Sequence, residues 1–494
     1  LEPGFLRAFP FMTMLGSIAR VAGFSILAAP SLCSTSSQNA AAAEEGDTSA
    51  QQTKAGSYAS IAAALLNGDY TAARNLIDVH FQTSSHMWQR VTWDDEHVNL
   101  PQLDRCVDAG RQTWYWEDVL ARGREASPIV ITQMLNHDVA QFQYLVETGT
   151  LPEFFEEVAN VYKKLLLALR KVGMLDYHLL RQRPDLIQKL TLQEEAAREA
   201  RKPHKTPLGR AFRKLKDVEQ AMVCSTYGKA LYMPVSHACN ASCISDELLL
   251  PEDSQRVRKP SAQAQSLAAE YLDSNPHIIV VDEVLSHSGL QALRQFCNEA
   301  TIWFYPKDGY VGAYMQAGFF TPEVQQMAEE FRAAFPDIFC DHQLAMAWAY
   351  KYDNFDQHPG LENEGIAIHA DNAAVTVNVW LTETEHRIGG DGGGLVVYMY
   401  EADLDAGEEL AQPVRTDPAG RRLLHLLDNS PNRTVEYRAN RAIIFKSNLY
   451  HKTGSMVFAP GYDKRRINLT LLFGTRGRQC GGGIQPETLQ KTEL

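Results

Sequence analysis

Apolar positions recur every three to four residues through the first half of the chain and alternate through much of the second half. In "YASIAAALLNGDYTAARNLIDVHF" (58–81), Ile61, Leu65, Ala72, Leu76 and Ile77 fall on helical spacing, with Asn67, Gly68 and Asp69 as a turn between two short helices. "LPEFFEEVANVYKKLLLALRKVG" (151–173) sets Phe154, Phe155, Val158, Val161, Tyr162, Leu165 and Leu169 on one stripe and stops at Gly173. Residues 58–220 therefore predict a helical region. After about residue 270 the pattern changes to short β-rich runs at 277–285, 343–352, 374–381, 395–400, 434–438, 441–446 and 467–474, bounded by Gly, Asn, Asp or Pro. Amphipathic helices near 286–300 and 321–334 precede most of them. So many short strands in one run predict a β-sandwich or barrel.

Between the two halves, residues 221–270 carry few periodic signals, and "PEDSQRVRKPSAQAQ" reads as a linker. The helical pairs of 58–220 resemble a tetratricopeptide-type array, without a clean repeat of that period. The stretch Arg198–Lys216 is basic; a solvated face is the default for it, and docking of an acidic partner is the alternative.

At 494 residues the chain exceeds the size at which single cores stop growing, about 250–300 residues, which predicts more than one domain. A formal charge of −13 argues against a general nucleic-acid coat. There is no run of about 18 apolar residues, so no transmembrane helix is expected. From Met12 to Asn39 there is no acidic residue, a single Arg20 and the apolar stretch "VAGFSILAAPSLC", which suits either a secretory signal or an organelle transit peptide. Residues 41–57 read as a disordered spacer. The eight cysteines make no disulfide scaffold; Cys239 and Cys243, near His237 and Cys224, hint at a zinc knuckle, but ordinary reduced thiols are the better expectation.

One triplet raises a chemical question. "GIAIHADNAAVTVNVWLT" (365–382) puts His369 and Asp371 two residues apart at the head of an expected strand, where both side chains share one face. An oxygen-activating Fe(II) uses two histidines and one carboxylate, leaving coordination positions open. "IIFKSNLYHKTG" offers His451 as the third ligand, immediately after a β-rich run, whereas His358 and His386 fall in turn and loop sequence. "RRINLTLLFG" (465–474) adds two arginines, and alternation groups Arg466 with Asn468 and Thr470 on a polar face. That predicts Arg466 pointing inward to pair with a carboxylate, with Arg465 facing solvent.

These segments, "HAD", "GGGLVVY", "FKSNLYH" and "RRINLTLLFG", occur in the order found in the Fe(II)/2-oxoglutarate-dependent dioxygenases, and residues 271–476 resemble the prolyl 4-hydroxylase-like branch of that superfamily. "FCNEATIWF", "GYVGAYMQAGFF" and "WAYKYD" resemble the part upstream of the iron site in a bacterial group whose oxygenase commonly follows tetratricopeptide helices. The resemblance implies an α+β multidomain chain, a helical N-terminal region followed by a double-stranded β-helix (jelly-roll) domain. It implies His369, Asp371 and His451 as catalytic iron ligands and Arg466 as the 2-oxoglutarate anchor, with Asn468, Tyr352 and Asn378 lining the co-substrate. Fe(II) and 2-oxoglutarate are the implied cofactors, with ascorbate as an accessory reductant, and O2 and an organic or peptide substrate are the implied partners. Because Asp371 keeps the carboxylate that a halogenating relative lacks, the expected chemistry is hydroxylation or demethylation.

The expected organisation is a targeting or disordered segment at 1–57, a helical region at 58–220, a linker at 221–270, the dioxygenase domain at 271–476 and a tail at 477–494. An insertion at 401–433 is expected to be a lid or a surface loop, and the helical half to offer a surface to a protein partner. Two other classes compete: a non-catalytic binding scaffold, and a cupin-type metalloenzyme in which Arg466 is a structural ion pair.

Overall fold

The computed structural model describes residues 60–61, 64–65, 67–83, 92–93, 98–99, 128–176, 179–180, 182–199, 207–250, 258–307, 309–355, 360–390, 392–402 and 418–477. The leader-like stretch, the 41–57 spacer and all of the 477–494 tail but its first residue lie outside these residues. No helix among them is long and apolar enough to cross a membrane.

The chain opens with helices α1 (Tyr70–Thr83), α2 (Pro128–Glu147), α3 (Phe154–Lys171), α4 (Pro184–Glu199), α5 (Pro207–Phe212) and α6 (Asp217–Thr226). The stripe on α3 is buried as its spacing predicts, through Phe155, Val158, Val161, Tyr162, Leu165 and Leu169 against α2 and α5. Glu156 and Glu157 in its first turn and Arg170 and Lys171 in its last oppose the helix dipole favourably. Gly173, at φ 95°, lets the Met174 N–H return to the Leu169 carbonyl and closes the helix. In the basic stretch, Arg213, Lys214 and Lys216 are exposed while Leu208, Ala211, Phe212 and Leu215 are buried.

Helices α7 (Ala262–Asp273), α8 (His287–Glu299) and α9 (Pro322–Ala334) belong to the second part, with strands β1 (Ile278–Val281), β2 (Tyr305–Lys307), β3 (Tyr310–Tyr314), β4 (Leu344–Tyr352), β5 (Val375–Trp380), β6 (Arg387–Gly389), β7 (Leu395–Glu401), β8 (Asn432–Val435), β9 (Ala442–Lys446), β10 (Leu449–Thr453), β11 (Val457–Phe458) and β12 (Ile467–Phe473). A large antiparallel sheet runs β1-β9-β5-β12-β4-β3-β2, and a small one runs β8-β7-β10, with β6 paired to β11. The segment 363–371 adds to the free side of β10 through the bridge His369–His451 and to the chain just beyond it through Asn363–Met456. This is a double-stranded β-helix, and the whole is an α+β chain with a helical N-terminal region.

Alternation explains how the large sheet divides its faces. Val375, Val377 and Val379 of β5, with Ile467, Leu469, Leu471 and Phe473 of β12, join the main core beneath α7, α8 and α9. Thr376, Asn378 and Trp380, with Asn468 and Thr470, face the opposite way, toward the small sheet. The main core also takes Cys243, Ile244, Leu248 and Leu249 from the stretch read above as linker. Glu330 of α9 anchors that stretch by accepting from the Ser242 hydroxyl and the Cys243 and Ile244 N–H groups.

The helical region lies directly on the sandwich. Gln133 of α2 donates to Asp353 at 3.0 Å, Gln141 donates to the Ala300 carbonyl at 2.9 Å, and the His137 ring packs on Tyr462 and Trp303. Farther toward the N-terminus, the Tyr70 hydroxyl accepts from the Leu344 N–H at 2.7 Å.

Two sequence expectations are corrected here. Cys239 and Cys243 form a disulfide, so neither sulfur is available to zinc and the reduced-thiol reading fails for this pair; Cys340 is disulfide-bonded as well. Of the insertion at 401–433, residues 403–417 lie outside the described residues, and helix α10 (Pro418–Asp428) is not a loose loop. It packs Leu423, Leu424 and Leu427 against Ile368, Ala370, Tyr398 and Tyr450, behind the H-x-D segment.

Candidate active site

The two histidines are brought together by backbone pairing. His369 N–H donates to the His451 carbonyl at 3.0 Å and His451 N–H returns to the His369 carbonyl at 2.8 Å. This hydrogen-bonded rung sets both side chains on one face, with ring centroids 4.3 Å apart. Gly365, at φ 70°, allows the segment to approach β10: a Cβ there would lie 2.8 Å from the Thr453 Cβ.

Both imidazoles are oriented by their own strands. Nδ1 of His369 lies 2.9 Å from the Ala367 carbonyl and Nδ1 of His451 lies 2.9 Å from the Leu449 carbonyl. A carbonyl can only accept, so each Nδ1 carries the proton and each Nε2 keeps its lone pair for a metal. Asp371 completes the cluster, with Oδ1 3.8 Å from His369 Nε2 and Oδ2 3.6 Å from His451 Nε2. One ligand atom from each residue lies within 4.8 Å of the others. Burial, aided by the neighbouring His369 and partly opposed by Asp371, lowers the His451 imidazole to about 4, so it stands neutral near pH 7. Two imidazoles and one carboxylate form the donor set expected of a non-heme Fe(II) site.

Asp371 is held in turn. The Thr376 hydroxyl donates to its Oδ2 at 2.9 Å and lies 2.9 Å from Ser447 Oγ, while the Asp371 N–H donates to the Ser447 carbonyl at 2.9 Å. Phe445 packs edge-on to the His451 ring.

Arg466 lies inside the sandwich, 1% exposed, as alternation predicts. Its guanidinium sits over the rings of Tyr352 at 4.5 Å, Tyr437 at 5.5 Å and Trp380 at 5.7 Å. Its Nε and Nη1 are buried with no hydrogen-bond partner, and among the described residues no carboxylate pairs with it. A buried guanidinium with unsatisfied donors is costly by several kcal/mol, so this cage fits an anionic ligand. Asn468, Thr470 and Asn378 lie deeper on the same face and satisfy one another: Thr470 Oγ1 donates to Asn378 Oδ1 at 2.6 Å, and Asn468 Nδ2 donates to Thr470 Oγ1 at 2.9 Å.

Arg465 departs from expectation. It is not solvent-facing but buried on the opposite side, 3.4 Å from Asp353, donating to Asn354 and lying over the Tyr462 ring. The reason is α2, which covers the surface that strand alternation alone would have left to water. Sequence reasoning also missed Trp380 and Tyr437 of the cage and the Thr376–Ser447 pair. Trp380 was legible by alternation from Asn378, and Tyr437 by alternation from Val435 within the β-rich run at 434–438.

No protein-family model matches the sequence, and no curated protein matches it. Solved structures do resemble it. The non-heme alpha-ketoglutarate-dependent epimerase SnoN from nogalamycin biosynthesis is 17% identical over 46% of this chain and 92% of its own, with a TM-score of 0.30. A prolyl-4-hydroxylase from Pseudomonas putida is 16% identical over 43% of this chain and 95% of its own, with a TM-score of 0.27. A prolyl hydroxylase from Trichoplax adhaerens, solved with a hypoxia inducible factor peptide, is 12% identical over 47% of this chain and 93% of its own, with a TM-score of 0.28.

Proposed function

We propose that this chain is an Fe(II)- and 2-oxoglutarate-dependent dioxygenase that hydroxylates an organic or peptide substrate. The observation that carries the reading is Arg466: a buried, unpartnered guanidinium inside the same sandwich that bears the cluster of His369, Asp371 and His451. When Fe(II), 2-oxoglutarate and O2 are bound, they supply oxidative decarboxylation to succinate and CO2 and the transfer of one oxygen atom into a substrate C–H bond. The chain's own share is positioning. The imidazoles present fixed Nε2 lone pairs, Asp371 brings the negative charge, and Arg466 takes the distal carboxylate of the co-substrate in its fork of N–H donors. Ile443, Phe445, Leu395 and Val397 make the surrounding walls apolar and keep bulk water away from the ions.

The test is anaerobic addition of Fe(II) and then 2-oxoglutarate to the full chain. A weak visible charge-transfer band that needs both supports the reading. A cupin-type enzyme that ignores 2-oxoglutarate, or a scaffold, gives no such band; both are disfavoured by Arg466, which a structural ion pair would have satisfied. We also propose an oxidising compartment for the chain, supported by the Cys239–Cys243 disulfide and the bonded Cys340. Peptide mapping without reductant on protein from its native source checks this: free thiols at Cys239 and Cys243 would refute it.

A further inference from the structure

We infer that Thr376 is a positioning residue for the metal-binding carboxylate. The inference rests on the reading of His369, Asp371 and His451 as ligands. Thr376 lies on β5 and Ser447 in the turn between β9 and β10, both 0% exposed. A threonine hydroxyl has one proton. Thr376 Oγ1 is placed to give it to Asp371 Oδ2 or to Ser447 Oγ, each 2.9 Å away, and the ionised carboxylate is the stronger acceptor. The bond to Asp371 is therefore charge-assisted. Ser447 also holds the turn by backbone, accepting from the Asp371 N–H at 2.9 Å and donating its own N–H to the Ala374 carbonyl at 3.1 Å.

Two consequences follow for the metal. The Thr376 bond fixes the carboxylate plane, and it engages Oδ2 so that Oδ1 is the stronger remaining donor. Asp371 so held would offer a metal a fixed oxygen, and without Thr376 it would lose that restraint. Because Ser447 is four residues before His451, its backbone bond to Asp371 ties the H-x-D segment to the strand carrying the distant ligand. Nothing else described donates a side-chain hydrogen bond to Asp371.

Co(II) titration of the metal-free full chain tests this, read by affinity and by the visible d–d spectrum, with thermal melting of each variant alongside. Thr376→Val keeps shape and loses the donor. It is expected to weaken Co(II) affinity about 10–100-fold and to change the d–d spectrum. Thr376→Ser restores the donor and is expected to stay within about threefold of wild type with an unchanged spectrum. Ser447→Ala leaves the Thr376 donor in place and is expected to stay within about threefold of wild type with an unchanged spectrum. If Thr376→Val melts like wild type and also binds Co(II) with the same affinity and spectrum, the inference is wrong. If Thr376→Val is too unstable to purify, Thr376→Ala against Thr376→Ser carries the decision through the spectrum: identical spectra overturn the inference. Failure of wild type itself to bind Co(II) overturns both this role and the proposed function. Binding of Co(II) without any response to 2-oxoglutarate overturns the proposed function while leaving the Thr376 role measurable and intact.

Discussion

Arg465 and Arg466 are adjacent in the chain and do opposite work. Arg466 turns its donors toward aromatic faces instead of an acid. Replacing it with Ala is expected to cost 2-oxoglutarate binding about 2–5 kcal/mol, at least about 30-fold in Kd, with Co(II) affinity nearly unchanged. Calorimetric titration of both ligands on the variant measures this, and equal 2-oxoglutarate affinity in variant and wild type would end the assignment. Arg465→Ala acts elsewhere. It leaves Asp353 buried without its cation, so the expected loss is stability, about 3–5 kcal/mol, with 2-oxoglutarate affinity retained in the folded fraction. Denaturant melts decide between the two phenotypes.

His451 gives a prediction in pH. Burial holds its imidazole at about 4 in the folded, metal-free protein, against about 6.5 for an unfolded histidine. Between those values the unfolded chain binds more protons. The stabilising contribution is therefore complete above about pH 6.5 and lost as pH falls through about 4, on the order of 3 kcal/mol. Wild type and His451→Gln compared at pH 7 and pH 4.5 check it: wild type should lose the larger share of its stability, and equal losses would refute the burial argument.

At the scale of elements, the brace formed by α10 makes a specific claim. Ile368 and Ala370 alternate with the two ligands of the H-x-D segment, so the face opposite the metal is the one that α10 covers. Leu427→Ala is expected to destabilise the protein by about 2–5 kcal/mol and to speed amide hydrogen exchange selectively in residues 366–371. Unchanged exchange there would make α10 mere decoration. How legible these elements were follows from their local physics. The buried strands β4, β5, β9 and β12 are rich in β-branched and aromatic residues, and their runs were read within a residue or two. Strands β2 and β3, "YPK" and "YVGAY", carry Pro and Gly in place of alternation and were not read as strands. The α10 stripe "RRLLHLL" was visible in the insertion but was passed over because its partner face, Ile368 and Ala370, lies far away in sequence. His369, Asp371, His451 and Arg466 were readable because a metal and an anion demand particular residue types at strand ends. The disulfide was not, since two cysteines four residues apart suit a bridge and a metal equally.

For the whole molecule, α2 packs onto the sandwich close to the residues flanking the anion site. Gln133 reaches Asp353, beside Tyr352, and His137 and Tyr144 cover Tyr462, near Arg465. A chain begun at residue 268 would also lose Cys243, Ile244, Leu248 and Leu249 from the main core. It is therefore expected to aggregate or to melt well below the full chain, and a soluble fragment of equal stability would show the helical region to be dispensable. The position of α2 also bears on recognition: any surface the helical region offers a partner must be one that the sandwich leaves uncovered.

The rung between His369 and His451 has a consequence in time. Its two halves are far apart in sequence, so the loop between them must close before the donor set exists, and loop closure is an entropic cost met on the way to the folded state. If the small sheet closes after the folding barrier, metal has nothing to grip in the transition state. A saturating ion would then lower the free energy of the finished fold by about 2.7 kcal/mol at a hundredfold excess over its Kd. That gain would appear almost wholly as slower escape from the native basin, with the refolding arm of the chevron unmoved by metal. The ion would act as a latch on a door already shut, setting how long the enzyme survives more than how quickly it forms.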